Sequence, residues 1–274
     1  MRLTVIGCAG SFPGPESASS SYLVQADDEA GRTWSLLLDL GSGALGPLQR
    51  YCDPVDLDAI GLSHLHPDHM ADMCGLYVYL KYRPRGHGGH AEGAGTGARR
   101  GPLDVHGPFG TASRLAAAYG LEPGESMTDQ LAVHAWQPGR PIQVGPLTLT
   151  PVAVEHPVPA YGVRVTGPSE RDPTRRVTLA YTGDTDSCPG LDALAREADV
   201  LLAEAAFVEG RDDDVRGIHL TGRRAGQAAA DGGAGRLVLT HVPAWNPPGA
   251  AYDEAVAVYP GPIDLARPGM VVEL

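Results

Sequence analysis

The chain has 274 residues, 43% of them hydrophobic and 20% charged, which is ordinary for a globular protein large enough to bury a core. A formal net charge of −12 argues against general binding of a nucleic-acid backbone, although it is compatible with a small anionic substrate held by metal ions. Four cysteines without a C-x-x-C pair, no run of about 18 apolar residues and no signal peptide predict a cytoplasmic protein without a disulfide scaffold or a membrane span.

The first part of the chain alternates short strands, loops and helices. Strands are predicted at residues 3–7, 22–25, 34–38 and 57–62, and helices at about 45–51 and 71–82. Residues 83–102 then hold seven glycines, two prolines and four arginines without periodicity. This composition predicts a flexible Gly/Arg-rich loop, with a basic flap over an anion-binding site as the alternative.

The rest of the chain repeats the alternation. Strands are predicted at residues 103–106, 131–136, 142–144, 147–155, 161–166, 176–181, 200–203 and 237–240, and helices at 111–119, 191–196, 221–230 and 252–259. No obvious linker divides the chain, and each half closes with helices. We therefore predict one domain, residues 1–274, in which two packed sheets carry helices on the outside.

Residues 63–69 read Ser-His-Leu-His-Pro-Asp-His, directly after a predicted buried strand. In an extended segment His64 and His66 project to the same side, so both can bind one ion. Asp68 and His69 begin the next helix and can face a second ion. Imidazole and carboxylate are ligand types for Zn²⁺, Mn²⁺ or Fe²⁺, whereas a surface cluster is the weaker interpretation.

Three further candidate ligands follow apolar strands. They are His156, Asp184 after a Thr-Gly turn, and His241. Taken singly, an Asp after Thr-Gly is usually a turn residue, and a His at a strand end is usually a hydrogen-bonded structural group. Their appearance together with residues 64–69 favours a metal site.

The seven candidate ligands resemble the five-motif signature of the metallo-β-lactamase fold hydrolases, over nearly the whole chain. Asp39-Leu-Gly-Ser-Gly resembles the first motif of that family. The resemblance implies an α+β fold, an αββα four-layer sandwich with a dinuclear site at one edge. Its implied ligands are His64, His66 and His156 for one ion, and Asp68, His69 and His241 for the other, with Asp184 bridging. It also implies that Asp39 braces the metal loop and that the cofactors are two divalent ions, Zn²⁺ or alternatively Mn²⁺.

Two further segments resemble the ribonuclease Z-like phosphodiesterases within that family. Gly217-Ile-His-Leu-Thr resembles their His-Ser/Thr motif, and Leu201-Leu-Ala-Glu-Ala-Ala-Phe their His-Glu-Ala-Thr-Phe segment, with two departures. The resemblance implies that Glu204 orients His219, which then assists the leaving group. Taken locally, Thr221 is a helix N-cap and Glu204 a surface acid. The short chain and the Thr-His-Val-Pro-Ala-Trp segment at 240–245 are similar to small bacterial cyclic-nucleotide phosphodiesterases.

We therefore expect a phosphodiesterase that hydrolyses 3′,5′-cyclic nucleotides with a hydroxide held between two metal ions and with Asp68 as proton acceptor. Ser42 and Gly43, ahead of a predicted helix, are candidate phosphate contacts. Trp245 is a candidate contact to the base, and so are Tyr22 and Tyr161. The expected partner is a small phosphodiester substrate, without a membrane, and a homodimer is implied only by the resemblance.

The alternatives come from other classes. A ribonuclease Z-type tRNA 3′-processing endoribonuclease is the first, although only 28 positions separate His156 from Asp184, too few for the tRNA-binding arm that such enzymes carry there. A thioesterase or lactamase on the same scaffold is the second, and the motif around His219 disfavours it. A metal-binding module without catalysis is the third.

Overall fold

Two mixed β-sheets pack face to face and carry helices on their outer surfaces. A computed structural model describes residues 1–83 and 101–274. The strands are β1 (Arg2–Gly7), β2 (Ser21–Asp27), β3 (Thr33–Leu38), β4 (Ala59–Gly61), β5 (Leu103–Gly107), β6 (Leu131–Ala135), β7 (Ile142–Val144), β8 (Leu147–Val154), β9 (Ala160–Pro168), β10 (Arg176–Tyr181), β11 (Val200–Glu204), β12 (Leu237–Thr240), β13 (Ile263–Leu265) and β14 (Val271–Glu273). The helices are α1 (Leu45–Leu48), α2 (Pro67–Met70), α3 (Met73–Tyr82), α4 (Thr111–Tyr119), α5 (Pro189–Ala195), α6 (Gly222–Gly232) and α7 (Pro248–Val256). In the described residues, no helix is long and apolar enough to cross a membrane.

The sheets form the two central layers of an αββα sandwich, as the sequence predicts. The first has the strand order β14-β1-β2-β3-β4-β5-β6 and the second β13-β12-β11-β10-β9-β8-β7. Leu36 and Leu38 of β3 enter the core between the sheets, whereas Leu37 packs under the helices of the first sheet. Leu194 of α5 and Ala225 of α6 cover the second sheet. Because the three leucines of β3 are buried on both faces of the sheet, they form an uninterrupted apolar run at the end of this strand.

The parallel parts of the two sheets define the functional edge. Strands β3 to β6 run parallel, and so do β10 to β13. In open α/β sheets, ligands bind in the crevice outside the carboxyl ends of such strands. The candidate residues follow β3, β4, β10, β11 and β12 at these ends, and His156 follows the antiparallel strand β8.

Several predicted elements have different boundaries. The predicted helix 45–51 ends at Leu48, the strand 57–62 is reduced to β4, and the helix predicted at 252–259 begins at Pro248, where the fixed φ of proline suits a first turn. Strands β13 and β14 were not predicted, because three residues are too few to show an alternating pattern. Strand β14 nevertheless pairs with β1 and brings the C-terminus onto the first sheet.

The expected loop 83–102 lies mostly outside the described residues, from 84 to 100. Its described ends lie at the edge opposite the candidate ligands. Arg83, after α3, forms an ion pair with Asp53 at 2.8 Å, just before β4 begins, and Leu103 begins β5. Whether the segment between them is a flap therefore stays a question for residues outside the described part of the chain.

Candidate metal centre

Three imidazoles from two strand ends converge at the functional edge. His64 and His66 follow β4, and His156 follows β8. Nε2 of His64 and Nε2 of His156 lie 3.0 and 3.2 Å from Nδ1 of His66. His156 donates from Nδ1 to the carbonyl oxygen of Ile218 at 2.9 Å, so its Nε2 lone pair faces the other two rings. The three nitrogens match the ligand type of a divalent-cation site.

A second group lies beside the first and consists of Asp68, His69, Asp184 and His241, all buried. Nε2 of His69 lies 3.5 Å from Asp68 Oδ2 and 3.2 Å from Asp184 Oδ1. Nε2 of His241 lies 3.7 Å from Asp68 Oδ2 and 3.2 Å from Asp184 Oδ2. Within the described residues, His69 Nε2, His241 Nε2 and Asp184 Oδ1 are buried without a hydrogen-bond partner. A buried polar atom without a partner costs free energy of folding, so these three atoms indicate a site for a bound cation.

Asp184 lies where the two groups meet. Its Oδ2 is 3.7 Å from Nε2 of His64 in the first group, and the same carboxylate reaches His69 and His241 of the second. The preceding Gly183 has φ of 58°, and a Cβ there would lie 2.9 Å from Cβ of Ser63. Only glycine therefore allows this turn to approach the loop that holds His64.

Asp39 supports the second group from behind. Its carboxylate accepts hydrogen bonds from Nδ1 of His69 at 2.8 Å, from the hydroxyl of Ser63 at 2.7 Å and from the hydroxyl of Tyr181 at 2.7 Å. The bond to Nδ1 turns Nε2 of His69 toward the centre, which is the usual task of such a partner. Asp39 lies where the sequence places it, whereas isolated serine and tyrosine residues give no signal in a sequence.

His241 is held by a comparable contact. Its Nδ1 lies 2.9 Å from the hydroxyl of Ser20, at the start of β2. His241 and Asp39 both have left-handed backbone conformations, with φ of 56° and 58°. This conformation is uncommon for residues other than glycine and tends to cluster at functional sites. The close approach of Gly10, whose Cβ would lie 2.3 Å from the carbonyl oxygen of His241, leaves room for no other residue there.

The protonation states suit a metal centre. Burial raises the pKa of Asp68 and of Asp184, but the neighbouring imidazoles His69 and His241 outweigh burial and hold both pKa values well below the usual range. Burial, together with His69, lowers the pKa of His64 well below its ordinary value. Burial lowers the pKa of His69, but the carboxylates of Asp184 and Asp39 outweigh burial and raise that pKa well above its ordinary value. Metal ions require ionised carboxylates and neutral imidazoles as ligands, so a cation bound at the second group would displace one proton of His69. The residues present therefore fit bound divalent cations.

His219 lies beside the centre, held by a buried acid. Its Nδ1 donates to Glu204 Oε1 at 2.8 Å and lies 3.8 Å from Asp184 Oδ2. Glu204 ends β11, is fully buried and also accepts hydrogen bonds from the amides of Thr185 and Ala206, so it is not a surface acid. Burial lowers the pKa of His219, but the charge and hydrogen bond of Glu204 outweigh this and raise the pKa to about 9.

His219 is also a candidate metal ligand. Its ligand atom and those of His156 and Asp184 all lie within 4.8 Å of one another. The geometry is therefore compatible with two roles for His219, a proton donor or a ligand, and metal content distinguishes them.

The expected phosphate contacts at the loop before α1 need correction. The amide of Gly43 donates to Asp72 Oδ1 at 3.1 Å, and the hydroxyl of Ser42 lies 3.3 Å from the carbonyl oxygen of Pro67. Helix α1 has only four residues, too few for a strong N-terminal field. Because its amide already has a partner, Gly43 is not favoured as a phosphate donor.

Trp245 is the exposed aromatic residue of the expected set. It is 60% exposed, follows His241 by four residues, and its ring centroid lies 4.9 Å from that of Phe12, which is 40% exposed. Tyr22 is fully buried in the core and cannot stack on a base, and Tyr161 packs against the same core. Nothing in the sequence pointed to Phe12, because a single aromatic residue in a loop has no characteristic spacing.

Comparisons with known proteins agree with this arrangement. Residues 35–242 match the family model described as beta-lactamase superfamily domain. The uncharacterized protein ML1173 of Mycobacterium leprae is 39% identical over 276 residues, which cover 100% of this chain and 89% of the relative. The probable metallo-hydrolase YhfI of Bacillus subtilis is 32% identical over 275 residues, which cover 100% of both chains. The YhfI crystal structure superposes with a TM-score of 0.79 and 30% identity over 99% of both chains. Ribonuclease Z of Myxococcus xanthus is 27% identical over 324 residues, which cover 100% of this chain and 98% of the relative.

Proposed function

The chain belongs to the beta-lactamase superfamily and is a metallo-hydrolase related to ribonuclease Z, and from this premise we propose that it hydrolyses a small phosphodiester, specifically a 3′,5′-cyclic nucleotide. The observation that carries the proposal is the His219–Glu204 pair beside Asp184. Hydrolysis of a phosphodiester develops negative charge on phosphate and on a leaving alkoxide. A protonated imidazole held by a buried carboxylate can stabilise both.

The two donor groups would hold two divalent cations, Zn²⁺ or Mn²⁺, and Asp184 is placed to contribute to both sites. His64, His66 and His156 would bind the first, and Asp68, His69 and His241 the second. When bound, such ions hold phosphate oxygens and make a water molecule nucleophilic near neutral pH.

Two side chains of the protein, Asp68 and His219, transfer the protons. As the water oxygen bonds to phosphorus and the ester P–O bond breaks, Asp68 accepts a proton from the water, and His219 gives one to the leaving oxygen. His219 suits its task because its pKa of about 9 keeps it protonated at neutral pH. Asp68 is assigned its task by position, since its carboxylate lies in the second donor group beside His69 and His241.

The connection between His156 and Asp184 supports a small substrate. Strands β9 and β10 pair antiparallel across a seven-residue turn and occupy most of this connection. There is no inserted arm for tRNA at this place, and the net charge of −12 disfavours a polyanion. A tRNA-processing endoribonuclease is the second candidate, because ribonuclease Z of Myxococcus xanthus is similar over the whole chain.

A panel of substrates tests the proposal. The purified protein, loaded with Zn²⁺ or Mn²⁺, is assayed with cyclic AMP, cyclic GMP, bis(p-nitrophenyl) phosphate, a tRNA precursor, S-lactoylglutathione and nitrocefin. We expect the highest kcat/KM with a cyclic nucleotide. Preferred cleavage of the tRNA precursor would establish the second candidate, and turnover restricted to the thioester or the lactam would refute phosphodiester hydrolysis.

Trp245 and Phe12 supply an aromatic surface for the base. Trp245→Ala should raise KM for cyclic AMP by roughly tenfold, because stacking of a base on an aromatic ring is worth about 1–3 kcal/mol. We expect little change in kcat, or in KM for bis(p-nitrophenyl) phosphate, which has no base. Tyr82→Ala, at an exposed aromatic residue that ends α3 on the opposite edge, is the matched control. An unchanged KM for cyclic AMP would remove Trp245 from the substrate site.

Glu204→Gln should narrow the pH range of activity on its alkaline side. The protonated form of His219 is the active one, and the charge of Glu204 raises its pKa to about 9. Without that charge the pKa falls, so kcat should begin to decline at a lower pH than in the wild type. The measurement is the pH profile of kcat for both proteins at saturating metal. Coincident alkaline limbs would show that Glu204 does not set the protonation of His219.

A further inference from the structure

His219 lies on a segment without regular structure. Residues 215–219 belong to neither a helix nor a strand, and Gly217 has φ of 74°. Glu204 fixes the direction of the His219 ring but does not fix the backbone that carries it. The catalytic geometry proposed above tolerates little displacement, so another group must hold this segment.

Asp186 is the centre of the contacts that hold it. Its side chain is 1% exposed and lies two residues after Asp184. One carboxylate oxygen accepts hydrogen bonds from the amide of Gly217 at 2.8 Å and from Nε of Arg216 at 2.7 Å. The other accepts from Nη1 of Arg224 at 3.2 Å. A single buried carboxylate thus joins the loop after β10 to the segment before α6.

Two further contacts complete the attachment. Nη1 of Arg224 lies 3.4 Å from the carbonyl oxygen of His219, and Nδ1 of His156 donates to the carbonyl oxygen of Ile218. Thr221 caps α6 as predicted, since its hydroxyl accepts from the amide of Arg224 at 3.2 Å. This cap fixes the backbone of Arg224 in the first turn of α6, from which its guanidinium contacts Asp186 and the carbonyl oxygen of His219.

The negative charge of Asp186 explains why a single side chain can hold the segment that carries His219. A buried carboxylate with charged donors makes stronger hydrogen bonds than a neutral group does. Loss of its charge would remove the carboxylate with which the guanidinium of Arg224, only 14% exposed, forms its ion pair. An amide at position 186 would keep the size of the side chain and lose this attraction.

We propose that Asp186 is a positioning residue for His219, which couples the loop of the Asp184 ligand to the segment of the proton donor through Gly217, Arg216 and Arg224. The inference rests on the proposed function, because it assigns the effect of Asp186 to the work of His219. The carboxylate of Asp186 accepts hydrogen bonds from Ser187, Arg216, Gly217 and Arg224, so it acts through the segment of His219.

The test compares two diesters that differ in their need for a proton donor. Bis(p-nitrophenyl) phosphate has a good leaving group, and diphenyl phosphate has a poorer one. Asp186→Asn should lower kcat on diphenyl phosphate by about 10²-fold, the cost of a small misplacement, and less on the nitrophenyl ester. KM and metal content should stay unchanged. Arg216→Ala, at a mostly exposed side chain, should act in the same direction with a smaller loss.

A double-mutant cycle separates positioning from general stabilisation. In a His219→Ala background, Asp186→Asn should cost less than about threefold, because coupled residues are not additive. Asp58→Asn is the matched control. Asp58 also accepts a hydrogen bond from a backbone amide, that of Ser35 at 2.8 Å, and forms an ion pair with Arg32. It lies before β4, at the edge opposite the candidate ligands. We expect wild-type kcat for the control.

A spectroscopic readout makes the test independent of turnover. The Nδ1 proton of His219, hydrogen-bonded to Glu204, should give an NMR resonance that disappears in His219→Ala and shifts or broadens in Asp186→Asn. Additive losses in the cycle, an equal loss on both diesters, or an unmoved His219 resonance would each overturn the proposal. If no diester is hydrolysed, the proposed function fails while the resonance still decides the role of Asp186.

Discussion

Asp184→Ala is expected to abolish metal binding at both ion sites and to stop turnover. The Asp184 carboxylate lies 3.2 Å from Nε2 of His69, 3.2 Å from Nε2 of His241 and 3.7 Å from Nε2 of His64. Its ion-pair contacts thus include a histidine of each donor group, whereas Asp68 contacts His69 and His241 of its own group. On the proposed assignment, removal of Asp184 would take a charged ligand from each of the two ions. Metal content should therefore fall from about two ions per chain to fewer than one.

The measurement is elemental analysis after dialysis against dilute Zn²⁺, with thermal unfolding as a second readout. Added Zn²⁺ should raise the Tm of the wild type, because ligands that bind the folded state stabilise it, and should not raise the Tm of the variant. Asp199→Ala is the control, since Asp199 accepts hydrogen bonds from the amide of Thr178 and from Arg175 far from the centre. Two retained ions in Asp184→Ala would refute the assignment of Asp184 as the shared ligand.

The candidate ligands could be predicted because two features of the sequence identify them. They are residue types that bind metals, and they follow strands whose apolar character is plain in the sequence. Parallel strands bring their carboxyl ends to one edge, so His64, Asp184 and His241 converge although 177 positions separate the first from the last. The resemblance to a known family added the pairing of His219 with Glu204, which spacing alone does not give.

The supporting residues could not be predicted, because their roles depend on packing between distant segments. Ser20 meets His241 only when β2 lies beside the end of β12, and Tyr181 reaches Asp39 only across the interface of the two sheets. Asp186 resembles any aspartate in a turn until the segment at Gly217 is placed against it. Single residues of common types carry no periodicity, so these contacts appear only in three dimensions.

The internal contacts of the loop before α1 could not be predicted for a related reason. A Gly-Ser-Gly segment ahead of a helix suggests free amides, but the sequence does not show that Asp72, at the start of α3, already accepts from Gly43 and Leu45. The same segment has another task. A Cβ at Gly41 would lie 1.9 Å from the carbonyl oxygen of Asp68, so the glycine permits the close contact that supports the metal loop.

His219→Ala is expected to keep the full metal content and to lower kcat on bis(p-nitrophenyl) phosphate by about 10²–10⁴-fold, the range for loss of a general acid or base. The loss should be larger for cyclic AMP, whose ribose oxygen is a poorer leaving group than p-nitrophenolate. KM should change little, because the imidazole acts on charge that develops in the transition state. His134→Ala is the control, since His134 is an exposed histidine on β6 paired with Asp104.

The metal analysis of this variant separates the two roles that the geometry allows for His219. If His219 were a ligand together with His156 and Asp184, its removal would lower metal content, and added Zn²⁺ would restore part of the activity. If it is the proton donor, metal content stays at the wild-type value and excess Zn²⁺ restores nothing. The hydrogen bond from Nδ1 to Glu204 is compatible with both outcomes, because His69 has a comparable contact with Asp39 and is a candidate ligand, so the metal content decides between them. A variant with intact metal and undiminished kcat on both substrates would remove His219 from the mechanism.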